Sequence, residues 1–398
     1  MSTIRVNAIQ NTNANSGNML LHANGNVSMT TSNTTLFIGN TAISNAGISV
    51  GGAAINPLAT GMRNRIINGD FRIDQRFNGT ANTVMSGNTY VPDRWMGAFS
   101  GSLSGKFSIQ SQTTGGPTGI PTYARVAVVS AYTPVSNDNL TFRQIVEGYN
   151  VADLAWGTAD AKTVTLSFWV RSSLTGTFGG SLLLNGTIAT YPYTYSISSA
   201  NTWEYKTIVI PGSVTGSPQS ITNVYGVYVH FSLGGAGTIL GTPGSWDTGA
   251  SLRYGATGQV NMIASAGATW DVTGVQFEAG TVATPFEFRH YGQELALCQR
   301  YYQPLNTGGS VLLMNYLDGT SIYNTNVWYK VTMRAIPTIS TSSFTYRVGS
   351  SYTNGSVSSV TGTSNYADIR LSCPSAPNTA GTAGHCILDS GWATSAEL

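Results

Sequence analysis

Short runs of alternating apolar and polar residues recur between residues 62 and 289, separated by loops rich in Gly, Ser and Pro. Such alternation is typical of β-strands, because successive side chains point to opposite faces of a sheet. The runs are ARVAVVSAY (124–132), TVTLSFWVRSS (163–173), YTYSISSA (193–200), TWEYKTIVIPG (202–212), VYGVYVHFSL (224–233) and TWDVTGVQFEAG (269–280). No long helical periodicity lies between them, so we expect an antiparallel jelly-roll sandwich of two sheets.

In the run at 163–173, alternate side chains are expected on opposite faces of the strand. Leu166, Phe168 and Val170 fall on one face, and Trp169 falls on the other. We therefore expect a core strand whose apolar face packs inside the sandwich. Trp169 would be covered by a loop or by another subunit.

The first 61 residues follow a different pattern. Arg5 is the single charged residue among the first 60, which include eleven Asn and eight Thr, and apolar residues arrive in short bursts. The bursts predict short strands between turns, with too little apolar area to offset the entropy of ordering. We expect a homotrimeric stalk, or an arm laid over a partner, with a flexible linker as the alternative.

A helical pattern follows the sandwich. In HYGQELALCQRYYQ, Leu295, Cys298 and Tyr302 recur every three to four residues, which predicts a short helix near 290–302 that Pro304 ends. Short strands then return in SVLLMNY, VWYKVTM, SFTYRV and YADIRLS. The sequence thus predicts an all-β chain in three parts. These are an arm or stalk at 1–61, a jelly roll at 62–290, and a connector helix with a small C-terminal β domain at 291–398.

Charge is scarce along the whole chain. Charged residues make up 9% of the 398 residues, and 19 basic side chains nearly balance 17 acidic ones. The chain has no basic stripe to neutralise phosphates, so no nucleic-acid partner is expected. No apolar stretch is long enough for a transmembrane helix, and the N-terminus lacks the apolar segment of a secretory signal, so no membrane insertion is expected.

The sequence offers little for metal or covalent chemistry. The three cysteines, Cys298, Cys373 and Cys386, form no CxxC pair, and the four histidines have no metal-binding spacing. Neither a metal site nor a cofactor is expected, and whether Cys373 and Cys386 form a disulfide stays open. The chain contains no GxSxG, P-loop or HExxH motif, so we assign no catalytic residue and expect no enzymatic activity.

Six blocks of sequence occur in a recognisable order. They are RNRIINGDFRIDQR (63–76), YVPDRW (90–95), RQIVEGYNVADLAW (143–156), KTVTLSFWVRSSLTGTF (162–178), TWEYKTIVIPG (202–212) and TGVQFEAGTVATPFEFRHYGQELALCQRYY (273–302). This set resembles a jelly-roll module of tailed-bacteriophage tail fibres and receptor-binding virion proteins, similar in architecture to carbohydrate-binding domains. The opening STIRVNAIQNTNAN also resembles the start of phage tail-fibre and structural proteins.

The resemblance implies a bacteriophage structural protein. It would be a homotrimeric tail fibre or receptor-binding protein, attached to other virion proteins through residues 1–61 and contacting host cell-surface polysaccharide. Its location would be the virion, with the tail favoured over the capsid. Two alternatives stay open, namely a head fibre or capsid-decorating protein and a polysaccharide-degrading tailspike enzyme.

The acidic residues bear on the enzyme alternative, since glycoside hydrolysis needs two carboxylates flanking one bond. Those in the recognisable blocks are interpreted as scaffold, namely Asp70, Asp93, Glu147, Glu278 and Glu287. The arginines of the opening block are expected to form ion pairs with nearby aspartates, a phosphate site being the alternative. The arginines are Arg63, Arg65, Arg72 and Arg76, and the aspartates are Asp70, Asp74 and Asp93.

Sugar binding requires exposed aromatic faces and a few polar groups. Tyr191, Tyr193 and Tyr195 share one face of an extended segment and are the first candidates, with core or intersubunit packing as the competing interpretation. Trp328 and Tyr329 are the second candidates. Host recognition is expected within residues 305–398, whose long polar loops suit hydrogen bonds to sugar hydroxyls.

Overall fold

The structure, a computed structural model, describes two compact units. One comprises Met1–Arg63 with Val282–Pro285, and the other comprises Asn64–Thr281 with Phe286–Leu398. The described residues are 8–9, 19–21, 27–29, 36–38, 41–44, 47–50, 53–55, 62–184, 189–214, 220–249, 252–305, 312–317, 322–340, 344–348, 351–372, 383–388 and 392–398. The predicted boundary at 290 therefore lies inside one compact unit, in which the C-terminal β structure packs on the jelly roll.

Short strands form the first unit. They are β1 (Ala8–Ile9), β2 (Met19–Leu21), β3 (Val27–Met29), β4 (Leu36–Ile38), β5 (Thr41–Ser44), β6 (Gly47–Val50) and β7 (Ala53–Ile55). They pair antiparallel in the orders β1-β2-β3 and β4-β5-β6-β7. The predicted short strands are confirmed, whereas the turns between them lie outside the described residues and the stalk stays a prediction.

The second unit begins with the strands of the sandwich. They are β8 (Asn82–Thr83), β9 (Asn88–Tyr90), β10 (Trp95–Ser100), β11 (Phe107–Gln112), β12 (Tyr123–Val128), β13 (Asn139–Glu147), β14 (Val164–Ser172), β15 (Gly176–Leu184), β16 (Thr190–Ile197), β17 (Glu204–Ile210), β18 (Tyr225–Gly235), β19 (Leu240–Gly241), β20 (Gly255–Ala256) and β21 (Thr269–Ala279). Each predicted run contributes a strand, so the all-β prediction is confirmed.

Two six-stranded antiparallel sheets pack face to face in a jelly-roll sandwich. We call β16-β15-β18-β13-β10-β9 the first sheet and β17-β14-β21-β12-β11-β8 the second sheet. In β14, Leu166, Phe168 and Val170 are fully buried, as the alternation predicted. Trp169 lies on the outer face, where its ring packs 5.3 Å from that of Tyr205. The cover over Trp169 is therefore the neighbouring strand β17.

Aromatic rings fill the space between the sheets. The Trp95 ring stacks on Phe142 at 5.1 Å between centroids and contacts Phe71 at 4.9 Å, and its indole N–H donates to the Asn68 carbonyl oxygen at 3.0 Å. Residue 69 must be glycine, because a Cβ there would lie 2.2 Å from the Val275 carbonyl oxygen. The NGDF turn of the first recognisable block therefore seats Phe71 in the core.

Short helices connect the strands. Four in the described part of the chain are 3₁₀ turns, at Gly148–Asn150, Ala152–Leu154, Gly237–Ile239 and Met262–Ala264. The α-helix, α1 (Tyr291–Gln299), confirms the predicted connector, but it ends before the predicted Pro304 stop, and Pro304 instead closes β22 (Tyr302–Pro304). Within the described part of the chain, no helix has the length and apolar character needed to cross a bilayer.

A barrel and a small sheet complete the second unit. The remaining strands are β23 (Leu312–Leu317), β24 (Ile322–Trp328), β25 (Thr338–Ser340), β26 (Phe344–Val348), β27 (Ser351–Gly362), β28 (Tyr366–Ser372), β29 (Ala383–Leu388) and β30 (Ala393–Ser395). The closed barrel runs β23-β24-β28-β27-β26-β29, and the sheet runs β22-β30-β25. The predicted C-terminal β structure is confirmed, while Cys373 and the side chain of Cys386 lie outside what the structure describes.

The last residues of the chain pack onto the outer face of the first sheet. Glu397 forms ion pairs with Arg94 and with Arg76, the latter at 3.0 Å. Leu398 packs against Met96 and Ile145, and its carbonyl oxygen accepts a hydrogen bond from Tyr90 at 2.8 Å. We call Arg76, Arg94 and Glu397 the buried ion cluster. It links the C-terminal segment to the jelly roll.

The opening block forms two of the expected ion pairs. Arg72 pairs with Asp70 at 3.1 Å and Arg76 pairs with Asp93 at 3.4 Å, so these pairings are confirmed. Arg65 instead reaches Asp153 at 2.8 Å. Asp74 accepts hydrogen bonds from the backbone N–H groups of residues 77 and 79, so its charge stabilises a turn.

Asp93 gives the jelly roll a specific pH response. Burial raises the pKa of Asp93 to about 6 from 3.8, although Arg76 and Gln75 favour its charged form. The folded state then binds a proton more tightly than the unfolded chain, so this group adds stability as the pH falls through 6. Between pH 7 and 4.5 the gain is about 2 kcal/mol, at 1.36 kcal/mol per pKa unit.

Urea unfolding of the wild type and of Asp93→Asn across this pH range measures that gain. The amide keeps the shape of the side chain and cannot titrate, so the stability of the wild type relative to the variant should rise by about 2 kcal/mol as the pH is lowered. A difference that stays constant with pH would contradict the raised pKa.

Candidate functional site

The predicted tyrosine stripe lies in the core of the sandwich. Tyr191, Tyr193 and Tyr195 are only 6%, 2% and 6% exposed. Tyr193 donates to the His230 carbonyl oxygen at 2.7 Å, and Tyr195 accepts from the Trp270 indole N–H at 3.1 Å. Burial raises the pKa of Tyr195 well above its ordinary value. The structure thus corrects the expectation of an exposed stacking platform, because these rings fill space between the sheets.

The second predicted pair is divided between surface and core. Trp328 is 71% exposed, whereas Tyr329 packs partly buried against the core of the C-terminal segment. The neighbour of Trp328 on the surface is Tyr366, directly across the β24–β28 pair, with 5.0 Å between ring centroids. Exposed Trp328 and half-buried Tyr366 therefore form an aromatic pair on the described surface of the barrel.

A larger aromatic and polar surface lies on the outer face of the first sheet. Its members come from β9, β13 and β18 and from the loop before β20. We call this surface the Tyr–Arg face and define it as Asn88, Arg143, Tyr225, Tyr228, His230 and Tyr254. Strand pairing places Arg143 directly opposite His230.

Rings form a continuous row across this face. Centroid distances are 5.2 Å from Tyr225 to Tyr228, 5.5 Å from Tyr228 to His230, and 5.5 Å from His230 to Tyr254. Tyr225 and Tyr228 are three residues apart and would fall on opposite faces of a regular strand. A register shift opposite Val146 and Glu147 allows both rings to lie on one face. Tyr225 is 38% exposed, and Tyr228 and Tyr254 are partly exposed.

Arg143 supplies the charge of the Tyr–Arg face. Its guanidinium lies 5.3 Å from the centroid of the Tyr228 ring and donates to the Asn88 side-chain oxygen at 3.1 Å. Desolvation by burial lowers the pKa of Arg143 from its ordinary value, and nearby tyrosines oppose that shift. The hydrogen bond from Arg143 holds the Asn88 side-chain oxygen toward the guanidinium. The Asn88 amide nitrogen is therefore left to donate a hydrogen bond to a ligand.

His230 is neutral and its tautomer follows from its neighbours. The Ser181 hydroxyl donates to the Arg253 carbonyl oxygen at 2.7 Å, so it can only accept from His230 Nδ1, which lies 3.0 Å away. The ring proton therefore sits on Nδ1. Burial, assisted by Arg143, lowers the pKa of His230 well below its usual value. Arg143 is thus the one formal charge among the six residues of the Tyr–Arg face.

The outer face of the second sheet shows the usual arrangement of arginines in this protein. There, Arg125 and Arg171 both bind the Asp271 carboxylate, at 2.8 Å and 2.7 Å. Asp271 is almost completely buried, and the guanidinium groups cover it. The two guanidinium groups on that face therefore share one buried carboxylate.

The sequence contained one signal for the Tyr–Arg face, in VYGVYVHFSL, which holds Tyr225, Tyr228 and His230. Regular alternation separates the two tyrosines, and only the register shift in β18 brings them together. Arg143 and Asn88 come from strands 55 residues apart, so sequence proximity could not join them.

Comparisons with known proteins leave the family open. No protein-family model and no curated protein sequence matches the chain. Among solved structures, the chain is similar to the enzymatically active domain of bacteriophage CBA120 tailspike protein 4, at 12% identity and a TM-score of 0.30, over 57% of this chain and 22% of that chain. The chain thus matches under a quarter of that tailspike structure.

Two sugar-bound modules are also similar to the chain. One is TmCBM61 in complex with β-1,4-galactotriose, at 10% identity and a TM-score of 0.28, over 55% of this chain and all of that one. The other is a family 11 carbohydrate-binding module from Clostridium thermocellum in complex with a mixed-linked tetrasaccharide. Its sequence identity is 13% and its TM-score is 0.24, over 48% of this chain and 91% of that one. Similarity at this level does not assign a function, so the site rests on its own geometry.

Proposed function

We propose that this chain is a glycan-binding structural protein of a bacteriophage virion, a tail fibre or receptor-binding protein that binds host-surface polysaccharide without cleaving it. The Tyr–Arg face carries this proposal. It combines partly exposed tyrosine rings, which can stack on the apolar face of a sugar, with the guanidinium and amide groups that can bind sugar hydroxyls. In this proposal residues 1–61 attach a homotrimer to the tail.

The bonding of the acidic residues supports binding without cleavage. Glu147 accepts from Arg300 at 2.6 Å and from the Tyr301 hydroxyl at 2.6 Å, and Asp70 pairs with Arg72. Glu287 accepts from the Asn64 backbone N–H at 2.8 Å, and Glu278 accepts from the Gln276 amide at 2.8 Å. These contacts support a scaffold role for the four carboxylates.

Tyr228→Ala should weaken saccharide binding about tenfold or more, because the ring lies at the centre of the Tyr–Arg face. A tenfold loss corresponds to about 1.4 kcal/mol, which is a reasonable value for one stacked ring. The measurement is the affinity of the purified full chain for saccharides on an array of bacterial envelope glycans.

Tyr205→Ala is the control, since Tyr205 is an exposed tyrosine on the outer face of the opposite sheet. It should bind like the wild type. Equal affinities for Tyr228→Ala and the wild type would contradict the proposed site.

Two further observations test the rest of the proposal. Polysaccharide incubated with the chain should keep its length on a sizing column, and shortened chains would favour the tailspike alternative. Immunolabelling of intact particles should mark the tail, and labelling of the head would favour a head fibre or capsid-decorating protein.

A further inference from the structure

Most described arginines of the second unit have a carboxylate partner, which makes Arg143 informative. Ion pairs engage Arg65, Arg72, Arg76, Arg94, Arg125, Arg171, Arg253, Arg289 and Arg300. Arg334 satisfies its guanidinium on the backbone oxygens of Ala396, Asn223 and Glu397 at 2.7 to 3.0 Å. As a rule, therefore, a described guanidinium group lies against a carboxylate or against several backbone oxygens.

Arg143 departs from that rule. It makes no ion pair with a described carboxylate, and one hydrogen bond to neutral Asn88 is its described polar contact. Placing a cation in a partly desolvated position without an anion costs free energy. A ligand that supplies an anion there therefore gains binding free energy.

Among the residues that the structure describes, the groups that face Arg143 supply no anion to pair with it. On β18, His230 is neutral and Tyr228 lies beside the guanidinium. The loop before β20 brings Tyr254 and the β9 strand brings Tyr90, which are phenols rather than carboxylates. The C-terminal Glu397 is bound within the buried ion cluster.

We propose that the Tyr–Arg face selects acidic saccharides, in which a carboxylate or phosphate group pairs with Arg143 while the sugar ring packs on Tyr228. This inference rests on the proposed function and names its ligand class. An arginine binds either anion through parallel N–H···O bonds, and the tyrosine hydroxyls and the Asn88 amide complete a polar rim. The chain would therefore discriminate against neutral polysaccharides of the same linkage.

The test uses an array that pairs uronic-acid oligosaccharides with their methyl esters, and phosphorylated oligosaccharides with their dephosphorylated forms. The wild type should bind the anionic member at least tenfold more tightly than its neutral partner. Arg143→Met keeps an apolar stem without the charge, so it should remove that preference. Arg143→Lys should retain part of the preference, because it keeps the charge.

Lys162→Met is the control for losing one positive charge elsewhere, since the Lys162 side chain is 53% exposed and its partner Asp153 is exposed as well. It should behave like the wild type. Raising salt from about 0.05 to 0.5 M should weaken binding of the anionic saccharides only, because screening acts on the charge.

The outcomes separate this inference from the proposed function. Equal wild-type affinity for charged and neutral partners, or an unchanged preference in Arg143→Met, would overturn the acidic specificity and leave saccharide binding intact. Binding to no saccharide at all would overturn the proposed function and the inference together. Preference for the uronates over the phosphorylated sugars, or the reverse, identifies which anion the site takes.

Discussion

Glu397→Ala should lower the free energy of unfolding by about 3–5 kcal/mol, the range for breaking a buried ion pair by removing one partner. Arg94 is only 1% exposed. Its guanidinium lies 3.5 Å from the centroid of the Tyr301 ring. Burial alone would lower the pKa of Arg94, and the Glu397 carboxylate raises it above its ordinary value. The variant would leave this charge unpaired.

Urea unfolding of two further variants isolates the cause. Adding Arg94→Met to Glu397→Ala removes the stranded charge and should recover part of the lost stability. Asp153→Ala breaks a more exposed pair with Arg65 and should cost about 0–1 kcal/mol. A cost below about 1 kcal/mol for Glu397→Ala would show that the buried ion cluster does not hold the C-terminal segment to the jelly roll.

Trp95→Ala should cost about 3–5 kcal/mol of unfolding free energy, as expected for truncating a large core aromatic residue. The ring is fully buried and stacks on Phe142 at an interplanar angle of 11°. Its removal also leaves the Asn68 carbonyl oxygen without the indole donor. The cavity would lie where the NGDF turn, β10 and β13 meet.

Trp328→Ala is the matched control, since Trp328 is 71% exposed on the barrel. Its unfolding free energy should change by no more than about 0.5 kcal/mol, the usual range for surface positions. The cost of Trp95→Phe should lie between those of Trp95→Ala and Trp328→Ala, because phenylalanine keeps an aromatic ring in the core but loses the indole hydrogen bond. Similar costs for Trp95→Ala and Trp328→Ala would contradict the packing described for the core.

The sandwich could be predicted because the alternation of apolar and polar residues within a strand indicates which side chains point into the core. Leu166, Phe168 and Val170 alternate with outward residues, and that local pattern is enough to place them inside. Ion pairs between close neighbours, such as Arg72 with Asp70, were also predictable. The pairing of Arg65 with Asp153 was not, because the two residues are 88 positions apart in the sequence.

The binding surface was harder to predict because it depends on which face of a strand is covered. The stripe of Tyr191, Tyr193 and Tyr195 alternates with Pro192 and Thr194, and this contrast itself favours burial of the tyrosines. Stacking chemistry suggested exposure instead. The Tyr–Arg face depends on a register shift in β18 and on an arginine without a carboxylate, neither of which a single sequence reveals.

The expected role of residues 305–398 in host recognition is best tested by point substitutions. A truncation after Gln303 would remove Glu397 and leave Arg94 buried without its partner. Loss of binding in that truncation would then have two possible causes. Substitutions at Trp328 or Tyr366 leave the buried ion cluster intact and report on the barrel surface alone.

A crystal structure of the full chain with its tightest-binding envelope saccharide would test whether the Tyr–Arg face is the saccharide-binding surface, as we propose. We predict a sugar ring packed on Tyr228 and an anionic group within about 3 Å of the Arg143 guanidinium. A saccharide ordered only against Trp328 and Tyr366, with none on the Tyr–Arg face, would contradict the claim and assign recognition to the barrel.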